Sequence, residues 1–302
     1  MPTVIIENKI PYIKGLLDES STVVYAAPGE IDRCLLLSTG ADALIVRTRT
    51  RCDANLLEGT RVKFIATATI GTDHIDLDYC RENGIGVSNA PGCNAPAVGQ
   101  YVMQAIKAAY PDPAGKTVGV VGCGHVGSVV AKWVAQAGMK VLKCDPPLAE
   151  HSEGYVDMET IAREADIITL HTPLTRDGKY PTYHLVDDSF LKSCRQGIML
   201  INAARGEVTD TGALNRGSAT GRIDRLVIDC WEHEPEIDTE LLERAFIATP
   251  HIAGYSVEGK QRATRMAVEA YCRNFGLAVP PGLPAPPDAP EHPTLFCRRE
   301  QD

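Results

Sequence analysis

The sequence predicts an α/β protein of two domains, the larger built on a doubly wound parallel sheet. Three observations carry that expectation. Short apolar runs alternate with amphipathic stretches along most of the chain, as when strand and helix take turns in parallel sheets. The 302 residues exceed what one hydrophobic core ordinarily serves. The third is the stretch G-V-V-G-C-G-H-V-G from Gly119 to Gly127, where an apolar run breaks into glycines.

The first ninety residues hold five short apolar runs: Val4 to Ile6, Val23 to Ala26, Ala43 to Val46, Phe64 to Ala68 and Ile85 to Ser88. Helical patterns are expected between them, near Ile13 to Asp18, Ile31 to Ser38, Asn55 to Glu58 and Ile75 to Asn83. Together they predict a small parallel sheet. A helix over about Ala95 to Ala109 then leads through Pro111-Asp112-Pro113, a proline-marked turn and the first candidate boundary.

From Thr117 the rhythm restarts. Thr117 to Val121 reads as a buried strand, and Gly122, Gly124 and Gly127 follow it with the spacing G-x-G-x-x-G. Val126, Val129, Val130, Trp133, Val134 and Ala137 then recur at helical spacing, so the glycines mark a strand-to-helix turn. One glycine permits the bend, one admits a pyrophosphate close to the backbone, and one lets helix and strand pack tightly. The helix offers unpaired N–H groups and its positive end to the phosphates. A second strand, Met139 to Cys144, ends at Asp145, where a carboxylate suits ribose hydroxyls and disfavours a 2′-phosphate; this points to NAD. His125, inside the loop, reads as a solvated or packing residue.

Further strands are expected at Ile167 to Leu170, Ile198 to Ile201, Leu226 to Ile228 and Phe246 to Ala248. Helices are expected at Met158 to Glu164, Asp188 to Ser193, Asp210 to Ser218 and Glu240 to Arg244. A last helix, about Val257 to Phe275, carries Ala263, Met266, Ala267 and Ala270 on one side. From Ala278 the chain holds seven prolines between Pro280 and Pro293 and reads as an extended or disordered tail.

Bulk properties narrow the partners. Thirty basic against thirty-nine acidic residues give a net charge of −9, which disfavours nucleic acid and anionic membranes. With no leader pattern and no long apolar span, a cytoplasmic protein is expected. The ten cysteines form no C-x-x-C pair and the eight histidines no H-E-x-x-H, so free thiols and no metal site are expected.

In doubly wound sheets ligands bind beyond the carboxyl ends of the strands, and three polar segments stand there. Asn202-Ala203-Ala204-Arg205-Gly206 offers an arginine fork that fits a carboxylate with two hydrogen bonds. Asp229-Cys230-Trp231-Glu232-His233-Glu234-Pro235 offers acids, and Thr249-Pro250-His251-Ile252-Ala253-Gly254-Tyr255 an imidazole. Each could be an ordinary solvated loop. Taken together, His251 and Glu234 form a candidate acid–base unit, the carboxylate fixing the imidazole tautomer and raising its pKa. His233, on a loop with no strand to hold it, ranks below His251.

In this order the four motifs, G-x-G-x-x-G with Asp145, N-A-A-R-G, D-C-W-x-x-E-P and T-P-H-I-A-G, resemble the D-isomer-specific 2-hydroxyacid dehydrogenase family over roughly Val4 to Gly276. The resemblance implies a Rossmann NAD domain, residues 94–250, inserted into a flavodoxin-like substrate domain of residues 1–93 and 251–277, with the active site in the cleft between them. It implies Arg205 on the substrate carboxylate, His251 as acid–base and Glu234 as its partner. It further implies that Thr172, Ala203, Asp229 and Gly254 touch NAD.

Other stretches narrow the resemblance to members acting on a phosphorylated acid. They are Glu7-Asn-Lys-Ile-Pro-Tyr12, Thr67-Ala-Thr69-x-Gly71-Thr-Asp-His74, Pro91-Gly-Cys-Asn94, Cys144-Asp-Pro-Pro147, His171-Thr-Pro-Leu174, Asp177-Gly178 and Thr182-x-His-Leu185. By this likeness Thr48, Thr69 and Tyr255 would touch substrate. Arg47-Thr48-Arg49-Thr50-Arg51, just past a strand end, supplies charge for a phosphate, with alternate arginines sharing a face if the segment is extended. A homodimer is the expected assembly, although only the proline-rich tail follows Gly276 where such relatives carry a dimerisation domain. Two other readings stay open: a dehydrogenase of another 2-hydroxy acid, such as 3-phosphoglycerate or glycerate, and a non-enzymatic NAD(H)-sensing module.

Overall fold

The computed structural model describes residues 1–283 and divides the chain into two compact units, Met1–Cys93 with the segment that begins at Val257, and Asn94–Ser256. In the first unit β1 (Thr3–Glu7), β2 (Thr22–Ala26), β3 (Ala43–Val46), β4 (Phe64–Thr67) and β5 (Gly86–Ser88) form a parallel sheet in the order β2-β1-β3-β4-β5. Every residue of β3 and β4 is buried, as a parallel sheet covered on both faces demands of its inner strands. On one face Ile5, Leu44, Val46 and Ile65 pack with Leu36 of α1 (Arg33–Thr39), Leu56 and Leu57 of α2 (Ala54–Leu57) and Cys80 of α3 (Leu77–Glu82).

Each of these helices starts at an aspartate, Asp32, Asp53 or Asp76, whose carboxylate accepts an N–H of the first turn. The helix expected near Ile13 to Asp18 does not form. Ile13 and Leu17 are buried there by successive turns, and Gly15 adopts φ 84°, which a helix cannot contain.

The second unit begins with α4 (Ala95–Ala109), then β6 (Thr117–Val121), α5 (His125–Gln136), β7 (Lys140–Cys144), α6 (Pro146–Ala149), α7 (Met158–Glu164), β8 (Ile167–Leu170) and α8 (Asp188–Ser193). It continues with β9 (Ile198–Asn202), α9 (Thr211–Ala219), β10 (Ile223–Ile228), α10 (Thr239–Arg244) and β11 (Ile247–Ala248). The six strands are parallel in the order β11-β10-β9-β8-β6-β7. The chain leaves β6 toward β7 on one side and resumes with β8 on the other, so the end of β6 is a topological switch point, where such sheets bind ligands. Asp145, Asp157, Asp187, Asp210 and Asp238 cap α6 to α10 in turn. Part of the acidic excess is therefore spent on helix starts.

The chain then returns to the first unit with α11 (Val257–Phe275), which lays Ala263, Ala267, Val268, Tyr271 and Cys272 on the sheet face of Val4, Ile6, Ala43, Ile45, Phe64 and Ala66. The proline-rich tail lies outside the described residues from position 284 onward. Among the described residues nine cysteines are free, no helix is long and apolar enough to cross a membrane, and no cluster of three side chains could hold a metal ion.

Candidate active site

The glycine turn stands at the end of β6, and its contacts explain each glycine. Gly122 has φ 84°, and a Cβ there would lie 2.7 Å from the carbonyl carbon of His171 and 2.8 Å from the nitrogen of Thr172. A Cβ on Gly127 would meet the oxygen of Gly122 at 1.8 Å, so helix α5 touches the loop through bare backbone. Gly124 differs: it precedes α5, and a Cβ on it would enter open space. That opening faces the first turn of a twelve-residue helix, where an anionic pyrophosphate would be met by N–H groups.

The Asp145 carboxylate ties this turn to the next one. Oδ2 accepts the Cys123 N–H at 2.7 Å and Oδ1 the Leu148 N–H at 3.1 Å, each oxygen keeping a lone pair for a further donor. Beside Gly122, the buried Thr172 hydroxyl has no hydrogen-bond partner among the described residues. An orphaned hydroxyl, a glycine facing open space and a capping carboxylate fit a dinucleotide. His171, next to it, bonds Thr169 at 2.9 Å, and burial pushes its pKa down to about 3, so it stays neutral. His125 is exposed at the start of α5.

The acid–base candidates follow three adjacent strands, β9, β10 and β11. His251 Nδ1 lies 3.0 Å from Glu234 Oε2, and Glu234 Oε1 accepts the Trp231 N–H at 2.6 Å. The hydrogen bond that His251 donates to Glu234 raises the His251 pKa above its ordinary value, against an opposing effect of burial; the charges of Glu234 and Asp229 add to the rise, and that of Arg205 lowers it. Burial pushes Glu234 upward, but its bonds to His251 and Trp231 and the nearby charges of His251 and Arg205 outweigh this, and its pKa falls. Arg205 is therefore near enough to act on both members of the pair, while one of its own N–H groups donates to the Ala204 oxygen at 2.8 Å.

The backbone of His251 is left-handed, φ 55°, an unusual state for a non-glycine residue. Buried Asp229 over-determines it. Its carboxylate accepts from Thr249 Oγ1 (2.6 Å), Ile252 N (2.7 Å) and Ala253 N (2.9 Å), and its carbonyl accepts from His251 N (2.8 Å). The Trp231 indole adds a bond to the Thr249 oxygen at 2.9 Å. Motif spacing offered no sign of this bracing, since the groups involved are far apart in sequence. Ala203 is half-buried, and Gly254 lacks a side chain for a packing reason: a Cβ would sit 2.0 Å from the Asn94 amide. His233 is exposed with φ 63°.

The substrate candidates fall in both units. Tyr255 is 64% exposed. In the first unit, Arg47 to Thr50 forms a turn rather than the extended segment expected, with the Thr50 N–H bonded to the Arg47 oxygen at 3.2 Å. The cause is Glu7, only 1% exposed at the end of β1, whose Oε2 accepts the Arg47 N–H at 2.9 Å and the Thr50 hydroxyl at 3.2 Å. Thr48 and Arg49 are left exposed, while Arg51 pairs with Asp53 at 2.9 Å. Thr69 Oγ1 donates to the Gly71 oxygen at 3.1 Å and lies 2.7 Å from Thr67 Oγ1, which in turn meets His74 Nε2 at 3.1 Å.

The family model described as D-isomer specific 2-hydroxyacid dehydrogenase, NAD binding domain, matches residues 97–253. The chain is similar to the erythronate-4-phosphate dehydrogenase of Bacteroides fragilis, 50% identical over 280 residues that cover 91% of this chain and 80% of the relative. To that of Porphyromonas gingivalis it is 42% identical over 302 residues, covering 97% and 80%. Among solved structures, the NAD+-bound 3-phosphoglycerate dehydrogenase of Entamoeba histolytica superposes with a TM-score of 0.77 at 25% identity, covering 91% of this chain and 95% of that one. The D-lactate dehydrogenase of Aquifex aeolicus, solved with NAD and lactic acid, gives 0.72 at 26% identity, covering 91% and 96%.

Proposed function

The chain belongs to the D-isomer-specific 2-hydroxyacid dehydrogenase family, and on that premise we propose that it oxidises 4-phospho-D-erythronate with NAD to 2-oxo-3-hydroxy-4-phosphobutanoate, a step toward pyridoxal phosphate. The observation that carries the chemistry is the His251–Glu234 contact of 3.0 Å, with Arg205 close enough to shift both pKa values.

The roles follow from hydrogen-bonding capacity. Glu234 accepts Nδ1–H, which leaves the lone pair on Nε2 of neutral His251 to take the substrate hydroxyl proton. The imidazolium that results is stabilised by the carboxylate already bonded to it. Arg205 offers its fork to the substrate carboxylate and so orients C2. Bound NAD supplies the hydride acceptor, held by the Gly122–Gly127 turn with Asp145 on the ribose. Thr172, Ala203, Asp229 and Gly254 complete that site in this reading, Asp229 through whatever capacity its bonds to the His251 turn leave.

Arg47 and Arg49, with Thr48, would take the substrate phosphate, and Thr69 and Tyr255 the rest of the acid. A homodimer belongs to the same reading and is tested by light scattering. The deciding assay follows NADH formation with 4-phosphoerythronate, 3-phosphoglycerate, glycerate and lactate. A kcat/KM highest for the phosphorylated four-carbon acid is the expected result. A preference for 3-phosphoglycerate or glycerate replaces the substrate assignment, and NAD binding with no turnover of any acid removes the enzymatic one.

A further inference from the structure

A second carboxylate–imidazole contact, Glu232 with His184, is one that the acid–base scheme does not use. The Glu232 side chain is 6% exposed. Its Oε1 lies 2.6 Å from His184 Nε2, and its Oε2 accepts the N–H of Thr211, the first residue of α9, at 3.1 Å. The other ring nitrogen of His184 is 3.6 Å from Asp210, the residue that caps α9. Tyr183 stacks on the imidazole with centroids 3.9 Å apart and planes 17° from parallel, and Arg176 covers Tyr183 at 4.0 Å. The His184 backbone is left-handed, φ 49°, with its N–H bonded to the Glu207 oxygen at 2.8 Å. The ring is oriented by the stacked Tyr183 on its face and by the Glu232 bond at Nε2, with the Asp210 carboxylate near Nδ1.

What Glu232 anchors is the residue before it, Trp231. The Trp231 N–H holds Glu234 Oε1, and the Trp231 indole holds the Thr249 oxygen, two residues before His251. The Trp231 carbonyl oxygen lies 1.9 Å from where a Cβ of Gly206 would be, so the residue after Arg205 rests directly on it. The segments bearing all three candidate catalytic side chains are thus set against one residue, Trp231.

We propose that Glu232, gripped by His184 and by the start of α9, is a positioning residue that fixes its neighbour Trp231 and thereby the place of Glu234 against His251. The proposal rests on the acid–base roles given above. Positioned catalytic groups lose rate steeply when their support loosens, because hydrogen bonds and near-attack geometry tolerate little displacement.

Three variants separate positioning from mere support. Glu232→Ala removes both contacts. Glu232→Gln keeps an acceptor for Thr211 and removes the charge facing His184. His184→Asn removes the ring and keeps a residue type at ease with a left-handed backbone. In Glu232→Ala, kcat for the best acid falls about 10–100-fold at unchanged KM for NAD. The His251 imidazole, titrated by NMR in the protein without substrate, moves to lower pKa, because Glu234 no longer keeps its bond. The charged groups facing His251, namely Glu234, Asp229 and Arg205, are the same in every variant.

Glu232→Gln and His184→Asn shift His251 in the same direction by less, and adding His184→Asn to Glu232→Ala changes little, as two members of one contact require. A His251 titration unchanged in folded Glu232→Ala, or in Glu232→Gln should the alanine variant not fold, overturns the proposal even if the melting temperature drops. Since that titration needs no substrate, it decides the matter separately from the identity of the acid.

Discussion

At the strand ends of the larger sheet the charged groups are met by other protein groups, whereas the exposed residues of the smaller sheet's candidate segment are left facing solvent. Asp229 receives three donors, Glu234 two and Asp145 two. The Arg47–Thr50 turn rests on Glu7, and its Thr48 and Arg49 stand exposed. The difference follows from the tasks proposed for them. A group that moves a proton must have its tautomer and pKa set before substrate arrives, whereas a group that attracts a phosphate needs charge and reach.

The sharpest break in that contrast is at His251. His251→Asn is expected to lower kcat by about 10²–10⁴-fold with NAD binding retained; initial rates and coenzyme titration measure both, and near-normal turnover removes the assigned role. Gly127→Ala strikes the other prearranged part. The new methyl meets the Gly122 oxygen, so a stability loss of roughly 1–3 kcal/mol and weakened NAD binding are expected, read from melting temperature and coenzyme titration.

Glu234→Gln tests whether the acid sets the base. Oxidation uses neutral His251, so the acid limb of kcat/KM lies at its raised pKa and should move to lower pH in the variant, with kcat down about tenfold. Stability follows the same pair. The imidazole's share is complete below its ordinary value of 6.5 and fades as pH rises through the raised one. The carboxylate's share is complete above 4.5 and fades as pH falls through the lowered one. The variant's deficit in melting temperature should therefore be greatest between those two ordinary values, and a flat deficit across pH would contradict the pairing.

The smallest effects belong to the smaller sheet. Arg47→Ala and Arg49→Ala should raise KM for the phosphorylated acid by about 10-fold and barely change it for an unphosphorylated analogue. Arg51→Ala, removing an exposed pair with Asp53, should cost under about 1 kcal/mol and leave KM alone. Equal effects on both acids would withdraw the phosphate role.

What the sequence made legible follows a similar line. The glycine turn and Asp145 announce themselves because their geometry is local, with spacing and chemistry in one βα unit. His251, Glu234 and Arg205 could be singled out by type and by standing after strands. The bracing around them could not: Asp229 bonds Ile252 and Ala253, and Glu232 bonds His184, across more than twenty residues with no periodic trace. In the first unit, Ile13 to Asp18 shows apolar spacing that suits a helix and buried turns alike, and Gly15 was the overlooked discriminator. Glu7 was visible as an acid closing an apolar strand, but nothing local revealed that it would bend Arg47 to Thr50 into a turn.

Among the described residues three histidines, His184, His233 and His251, sit in a backbone state that asparagine also tolerates well. One replacement at position 251, by asparagine, would accordingly remove the proposed base while sparing the scaffold around it. With the role proposed for His251, a descendant carrying it is expected to keep its grip on the coenzyme while turning the acid over about 10²–10⁴-fold more slowly. On that reading, a single side chain separates an efficient catalyst from a protein that chiefly binds its coenzyme.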